Sequence, residues 1–201
     1  MPKTGLTPNE LKEKAVNNAI DEIRKNGVER LKITDIAKKM NISHAALYKH
    51  FSNKEDLLDI ISKNWLEIID KKLYEISISS KKAEDRIIEF YCTLHLLKKE
   101  KVLSDPELYN AFANSSKKIT PPIAEHLKNM SDYMSNIIQD GIKLKEFKIK
   151  DVALVVKILF EGTMSFHHPK LVLDNINQER IPLLLEVLNT LILGLKINSK
   201  V

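Results

Sequence analysis

Two groups of side chains have types and spacing that would suit catalysis or metal binding. Cys92 and His95 are three residues apart, so on a helix they are neighbours and could form a thiol–imidazole nucleophile pair. Such a pair needs a third group to orient the imidazole and donors to stabilise an oxyanion, and the neighbouring sequence supplies neither. A buried thiol beside a hydrogen-bonded histidine is the alternative, and polar groups lining a cavity are a third interpretation.

The second group is His167 and His168, with Glu161 seven residues before His168. Histidine and carboxylate bind zinc, but adjacent histidines point to different sides of a helix and do not readily share one ion. A single cysteine in the chain excludes an internal disulfide and a multi-cysteine zinc site. We therefore expect no metal, no cofactor and no enzymatic activity.

A different chemistry, the neutralisation of phosphate groups, is indicated by residues 38–54. This segment contains four lysines, two histidines and no carboxylate, so its formal charge is +4, whereas the whole chain carries +5. Lysines around a short helix neutralise DNA phosphates and release counterions, which supplies most of the sequence-independent affinity. The segment is interpreted as a DNA-binding surface rather than as an ordinary solvated lysine face.

Two short helices would position these charges. Thr34 is a candidate N-cap for the first helix, whose apolar residues repeat at helical spacing. Asn41 tolerates a left-handed backbone and would make the turn, and Ser43 would cap the second helix. A helix, a tight turn and a second short helix form a helix-turn-helix, and its second helix fits the DNA major groove.

The same stretch resembles the N-terminal DNA-binding domain of the tetracycline-repressor (TetR) family. The resemblance covers about residues 8–75 and rests on Thr34-Asp35-Ile36-Ala37, Ile42-Ser43, Leu47-Tyr48, His50-Phe51 and Lys54-Glu55-Asp56-Leu57. It implies that Ser43 to His50 form the recognition helix and that Tyr48 and Lys54 contact phosphates. The expected DNA-binding residues are Thr34, Ser43, His44, Ala45, Ala46, Tyr48, Lys49, His50 and Lys54.

Two positions depart from the family pattern. Asn41 stands where the family often has glycine at the turn, and Ala45-Ala46 stands where the recognition helix often has Gly-Thr. Alanine methyl groups form no hydrogen bonds with bases. Base readout at these positions should therefore favour thymine methyl groups or be loose.

Capping signals place the remaining helices of the N-terminal half. Three segments fit a capping box, in which two side chains bond reciprocally to backbone N–H groups. They are Thr7-Pro8-Asn9-Glu10, Ser52-Asn53-Lys54-Glu55 and Ser104-Asp105-Pro106-Glu107. We expect a helix-turn-helix domain over residues 1–56, with a connecting helix over 53–76. A polar Ser/Lys break then leads to a ligand-binding and dimerisation domain over residues 77–201.

The composition is typical of an all-α protein. The chain is 43% apolar and 29% charged, with five glycines and seven prolines, which is enough apolar material for a sizeable core. The N-terminus lacks an apolar signal segment, and no uncharged apolar run approaches the ~20 residues that span a bilayer. A single cysteine suits a reducing compartment. We expect a cytoplasmic protein without membrane contact.

The second domain is expected to bind a small, mainly hydrophobic effector. Its predicted helices carry aromatic or polar tips on apolar stripes, and such tips provide the few directional contacts that orient an apolar ligand. We expect His95 or His126 to make the main polar contact, and Gly141 to interrupt or end its helix. The candidate pocket residues are Cys92, His95, Tyr109, Phe112, His126, Tyr133 and Phe160.

The last two predicted helices are the most apolar. By the family resemblance they form a four-helix bundle with their copies in a second subunit. The apolar stripes of these helices are therefore the expected homodimer interface. Its candidate residues are Val155, Leu159, Phe166, Leu184, Leu188 and Leu191.

These expectations describe an all-α, homodimeric transcriptional regulator. It would repress from a palindromic operator on double-stranded DNA and be released by a small-molecule effector, which the resemblance implies acts by changing the tilt of the connecting helix. One alternative is a ligand-independent DNA-binding or nucleoid protein of the same fold. The other is an enzyme that uses Cys92 and His95.

Overall fold

A computed structural model describes residues 5–115 and 118–197, and over these residues the chain is helical without strands, as the sequence predicts. A short 3-10 turn, Val28–Arg30, follows the first α-helix. The α-helices are α1 (Pro8–Asn26), α2 (Ile33–Lys39), α3 (His44–Tyr48), α4 (Lys54–Ser77), α5 (Ala83–Ser104), α6 (Pro106–Ser115), α7 (Pro121–Lys143), α8 (Val152–His167), α9 (Pro169–Asp174) and α10 (Ile181–Ile197).

The predicted start of α1 is confirmed. The Thr7 hydroxyl accepts from the Glu10 N–H at 3.3 Å, and the Glu10 carboxylate accepts from the Thr7 N–H at 2.7 Å. Pro8 occupies the first helical position, where a missing N–H costs nothing. These bonds satisfy donors that would otherwise be left open at the helix end.

Three other capping predictions are wrong in detail. The N-cap residue of α2 is Lys32, so Thr34 lies inside the first turn. Asn53, not Ser52, caps α4, because its side-chain oxygen accepts from the Asp56 N–H at 2.8 Å. Ser104, the expected cap of α6, is the last residue of α5, and Asp105 directly precedes α6.

The contacts divide the chain into two compact units. Of the described residues, the first unit comprises those up to Trp65 together with those of Asp105–Ile123, and the second comprises Leu66–Ser104 together with those from Ala124 to residue 197. The division of contacts falls inside α4, and α6 belongs to the first unit. Nothing in the local sequence pattern indicated this placement of α6.

The core of the first unit joins α1, α2, α3 and the start of α4. Ile23, Ile36, Leu47 and Leu57 are fully buried there, and Leu108 of α6 packs into the same cluster. Arg24 fixes α6 further, since its guanidinium donates three hydrogen bonds to the buried Asp105 carboxylate, the shortest at 2.6 Å. This core fixes α3 from behind and leaves its other side uncovered.

The core of the second unit is formed by α5 with α8, α9 and α10, which contact one another. α7 runs through Gly141 to Lys143, so the expectation that Gly141 interrupts or ends this helix is wrong. A Cβ at Gly141 would lie 2.4 Å from the Phe147 ring and 2.8 Å from Ala83 Cβ. This glycine therefore serves close packing rather than helix termination.

Candidate nucleic-acid interface and effector site

The recognition helix α3 presents a small exposed surface. Leu47 is fully buried and anchors the helix, whereas Tyr48 is 47% exposed and His44, Ala45 and Lys49 are exposed beside it. An aromatic hydroxyl, an imidazole, a methyl group and an ammonium therefore face outward from about one turn. That set can contact phosphates and base edges together.

The turn before α3 sets the direction of the helix. Asn41 has φ of 55°, the left-handed conformation expected from the sequence. The Ile42 N–H donates to the Ala37 carbonyl at 3.1 Å, and the Ser43 hydroxyl accepts from the Ala46 N–H at 3.2 Å. Both the predicted turn and the predicted Ser43 cap are confirmed, so α3 is held at both its turn and its first residues.

The four lysines of residues 38–54 are not equivalent. Lys39 is bonded to the Glu22 carboxylate, and Lys38 lies 3.7 Å from the Asp35 carboxylate. Lys54 donates to the Val28 carbonyl at 2.6 Å, which places its ammonium on the protein backbone in this structure rather than free for phosphate. Within residues 5–115 and 118–197, Lys49 alone of the four has no polar partner.

The other expected DNA-binding residues are less accessible. Thr34, Ala46 and His50 are half-buried, and the Ser43 hydroxyl is occupied by its cap bond. The exposed members of the expected set therefore centre on His44, Tyr48 and Lys49. The whole assignment to DNA contacts remains a proposal.

Lys49→Ala should weaken DNA binding on every sequence. Removing one phosphate contact should lower the slope of log affinity against log salt by about 0.9. Lys39→Ala is the matched control, because its ammonium is already paired with Glu22, and its slope should change less. Fluorescence anisotropy at several salt concentrations measures both slopes. Equal slopes for Lys49→Ala and the wild type would place Lys49 away from the phosphates.

The candidate pocket residues do not form one group. Tyr109 and Phe112 lie in the first unit, where both pack edge-on against Trp65 with ring centroids 5.6 and 4.6 Å away. α6, which carries both residues, packs with α1, and their assignment to an effector pocket stays a prediction. The five residues that lie in the second unit are Cys92, His95, His126, Tyr133 and Phe160.

Cys92 and His95 have the properties of structural groups. His95 is buried and its Nδ1 donates to the Phe166 carbonyl at 2.8 Å, which ties α5 to α8. Burial lowers the pKa of His95 and raises the pKa of the Cys92 thiol. A raised thiol pKa disfavours the thiolate that a nucleophile requires. Cys92 is half-buried and His95 is hydrogen-bonded, so the arrangement favours structural groups over a nucleophile pair.

The most unusual feature of the second unit is an interior polar cluster, formed by Asp70, Lys98, His126, Asn129 and His167. The Asp70 carboxylate accepts from His126 Nδ1 at 2.5 Å and from the Asn129 amide at 2.9 Å. Lys98 donates to the backbone carbonyl of His167 at 2.6 Å. Four helices, α4, α5, α7 and α8, therefore contribute polar groups to one interior region.

Burial and mutual charge shift the pKa values in this cluster. Burial lowers the pKa of Lys98 to about 8, against the opposing effect of Asp70. Burial also lowers the pKa of His126, with the Asp70 bond opposing it and the Lys98 charge adding to it. Burial and the charge of Lys98 lower the pKa of His167 to about 3. Both histidines are therefore neutral at pH 7.

Only His126 of this cluster was among the candidate pocket residues. A sequence signal for the others exists in the spacing of buried positions. Lys98 lies seven residues after the buried Tyr91 and four after the buried Leu94. These are helical spacings, so Lys98 lies on the buried stripe of α5. Asp70 likewise follows the buried Leu66 by four residues in α4. A charged residue on a buried stripe is the signal that sequence reasoning did not use.

The expected dimer-interface residues are largely interior. Val155, Leu159, Phe166, Leu184 and Leu188 are buried within the chain, and Leu191 lies over Gly162, at 2.9 Å from where a Cβ would be. The five buried side chains pack inside the chain itself, and their role in a dimer stays a prediction. The exposed apolar residues of α8 and α10 are instead Leu154, Met164, Leu183 and Leu193.

The described residues contain neither a metal-binding cluster nor a membrane-spanning helix. Among the described residues, no three or more histidine, cysteine, aspartate or glutamate side chains are grouped so as to hold a metal ion. His167 Nε2 lies 3.2 Å from the Phe160 carbonyl and is engaged there. No helix of residues 5–115 or 118–197 is long and apolar enough to cross a bilayer.

Two protein-family models match this chain. Residues 16–61 match the model described as bacterial regulatory proteins, tetR family, and residues 83–181 match the model described as tetracyclin repressor-like, C-terminal domain. The chain belongs to the tetracycline-repressor family. It is a DNA-binding transcriptional regulator, as the resemblance of its helix-turn-helix implied.

Several relatives of this TetR-family regulator are similar over nearly their full length. The fatty acid metabolism regulator protein of Bacillus subtilis is 24% identical over 185 residues, which cover 90% of this chain and 93% of the relative. The structure of the Bacillus subtilis regulator FadR in complex with stearoyl-CoA has a TM-score of 0.65 and 20% sequence identity. The match covers 90% of this chain and 98% of FadR. A Rhodococcus protein of unknown function has a TM-score of 0.70 and 17% sequence identity. The match covers 92% of this chain and 95% of the Rhodococcus chain. The structural likenesses establish the fold.

Proposed function

We propose that this regulator is a homodimeric repressor that binds a palindromic operator and is released by a small, mainly hydrophobic molecule. The observation that carries the DNA half is the exposed face of α3, where Tyr48 and the unpaired Lys49 project from a helix fixed by its turn and cap. The protein acts in the cytoplasm on double-stranded DNA. No catalytic step belongs to this function.

The effector class that we propose is a fatty acyl compound. The Bacillus subtilis relative is named for fatty acid metabolism, and the FadR structure contains stearoyl-CoA. The second unit of this chain combines aromatic side chains, such as Tyr91 and Phe160 at 6.0 Å between ring centroids, with a few buried polar groups. Apolar walls with a small number of directional groups suit an acyl chain that ends in a polar atom.

Two covalent connections support a coupling between the effector and the DNA. α4 continues from Lys54 to Ser77 and passes from the first unit to the second at Trp65. α6 follows α5 directly and is fixed within the first unit by the Arg24–Asp105 ion pair. We propose that effector binding acts on α3 through these connections. Such a coupling requires the effector to prefer one arrangement of the protein over the other.

The proposed dimer contact uses the exposed sides of α8 and α10. Leu154 and Met164 are ten residues apart on α8, and Leu183 and Leu193 are ten apart on α10. At 3.6 residues per turn this spacing leaves the two side chains of a pair about 80° apart, so each pair marks the edges of one broad exposed stripe. All four are more than a third exposed in the isolated chain. A two-fold dimer would cover these stripes with their own copies.

Selection of genomic fragments by the purified full chain, followed by hydroxyl-radical footprinting, tests this function. We expect protection of an inverted repeat whose two half-sites lie about 34–36 Å apart on one face of the duplex. Protection without sequence preference would indicate a nucleoid-type protein instead. Protection of a single half-site would contradict the dimeric repressor.

A further inference from the structure

The interior polar cluster contains a buried nitrogen that the protein leaves unused. Because a carboxylate only accepts hydrogen bonds, Nδ1 of His126 carries the proton that it donates to Asp70. His126 is neutral at pH 7, so its Nε2 is a bare acceptor. That atom is buried and has no hydrogen-bond partner among the described residues. An unpaired buried polar atom is costly, and an O–H or N–H donor would relieve that cost.

Lys98 provides complementary donors in the same region. The Lys98 residue is 4% exposed, and its one hydrogen bond within the described residues goes to the His167 carbonyl, although an ammonium has three N–H donors. That bond places the ammonium beside His167, and its charge adds to the lowering of the pKa of both His126 and His167. The cluster therefore offers unused donors on Lys98 and one unused acceptor on His126.

The surrounding groups fix the charge of the cluster. Asp70 contributes to it from α4, Lys98 from α5, Tyr133 from α7 and His167 from α8. Tyr74 lies against the Tyr133 ring, and His168 directly follows α8. Asp70 and Lys98 carry one negative and one positive charge, while the histidines at 126 and 167 are neutral. A second anion would leave the interior with an uncompensated negative charge, which is strongly unfavourable.

We propose that Lys98 and His126 form the headgroup site for an effector with a carbonyl oxygen at the end of an aliphatic chain, and that a free carboxylate enters this site together with one proton. The carbonyl oxygen accepts from Lys98 Nζ. In a carboxylic acid the O–H also donates to His126 Nε2, or passes its proton to that nitrogen. In both cases one proton is taken from solvent and the charge of the cluster stays unchanged.

The same carbonyl chemistry occurs in a free fatty acid and in an acyl thioester, and the cluster distinguishes between them. A thioester carbonyl accepts from Lys98 but has no O–H for His126, and it brings no charge into the site. Its binding should therefore take up no proton at the headgroup. This inference rests on the proposed function, because it concerns the effector of that repressor.

Isothermal titration calorimetry with decanoate and decanoyl-CoA tests the proposal. Titrations at pH 7 in phosphate and in Tris give the number of protons exchanged, since the two buffers differ in ionisation enthalpy. For wild-type protein we expect decanoate to bind with uptake of about one proton and decanoyl-CoA with almost none at this site. Decanoate binding without proton uptake would overturn the proposal.

Two substitutions assign the contacts. Lys98→Met should lower the affinity for both compounds by roughly tenfold or more, which is the loss expected for a hydrogen bond to a charged group. His126→Asn retains an N–H for Asp70 but removes the Nε2 acceptor. It should therefore lower the affinity for decanoate by roughly tenfold and leave the affinity for decanoyl-CoA nearly unchanged. Lys99→Met, with the same charge change on the same helix, is the matched control and should bind both compounds as the wild type does.

Wild-type affinity of Lys98→Met for both compounds would overturn the headgroup site. If the compounds then still release the operator, the proposed function stands and only the site is wrong. Failure of both compounds to bind wild-type protein would overturn the headgroup site together with the acyl effector. The DNA-binding part of the proposed function is tested separately, by measuring operator affinity without any effector. The proton count uses wild-type protein, so the proposal remains decidable if a substitution prevents folding.

Discussion

Leu193→Glu is expected to give a folded monomer. Leu193 is 57% exposed in the isolated chain, so a glutamate there can remain solvated and should change the stability of the monomer by only about 0.5 kcal/mol. In the proposed dimer the same carboxylate would be buried against its own copy, which is strongly unfavourable. Sedimentation velocity should show one chain per particle, and affinity for a palindromic operator should fall by orders of magnitude.

Leu188→Glu is the contrasting variant on the same helix. Leu188 is fully buried within the chain, so glutamate there loses the packing of leucine and buries an unpaired charge. The cost should be at least about 3 kcal/mol, a large part of the stability of a typical domain. We expect unfolding or aggregation rather than a clean monomer. A stable Leu193→Glu dimer would move the interface away from the exposed side of α10.

The second large expected effect is loss of stability in mild acid. The pKa of His167 is about 3 in the folded protein, below the ordinary value of 6.5 that it has in the unfolded chain. The unfolded chain therefore binds the proton first, and stability falls as pH decreases through 6.5 towards 3. At pH 5 this histidine alone should cost about 2 kcal/mol. The lowered pKa values of His95 and His126 act in the same direction.

Urea unfolding at pH 7 and at pH 5 measures this effect. His167→Gln keeps an N–H that can reach the Phe160 carbonyl but cannot take up a proton, so its loss of stability between the two pH values should be about 2 kcal/mol smaller. His44→Gln, at an exposed position on α3, controls for the removal of one histidine. An unchanged pH dependence in His167→Gln would show that another group causes the acid lability.

The helix-turn-helix could be predicted because its signals are local. The left-handed Asn41 and the Ser43 cap involve residues within a few positions of one another, and both are present as expected. The errors at Thr34 and Ser52 are shifts of one or two residues, since several neighbouring side chains there can cap a helix. The free or bonded state of each lysine could not be predicted, because Glu22 and the Val28 carbonyl are distant in sequence.

The apolar helices α8 and α10 were harder to interpret. Each carries apolar residues on more than one side, and periodicity does not say which side packs inside the chain. The sides with Val155 and Leu188 are buried, which leaves Leu154 and Leu193 exposed. Similarly, nothing local shows that Tyr109 packs on Trp65 in the first unit or that Asp70 meets His126. These pairings are tertiary contacts between distant parts of the chain.

The most direct test of effector-controlled repression is operator affinity measured with and without a bound acyl compound. Fluorescence anisotropy of a labelled operator should be titrated with the wild-type protein at constant salt, in the presence of saturating palmitoyl-CoA and, as a control, of free CoA. We expect palmitoyl-CoA to raise the dissociation constant by roughly tenfold or more, within the usual range of allosteric coupling, and free CoA to leave it unchanged. An identical dissociation constant while calorimetry shows palmitoyl-CoA bound would contradict effector-controlled repression.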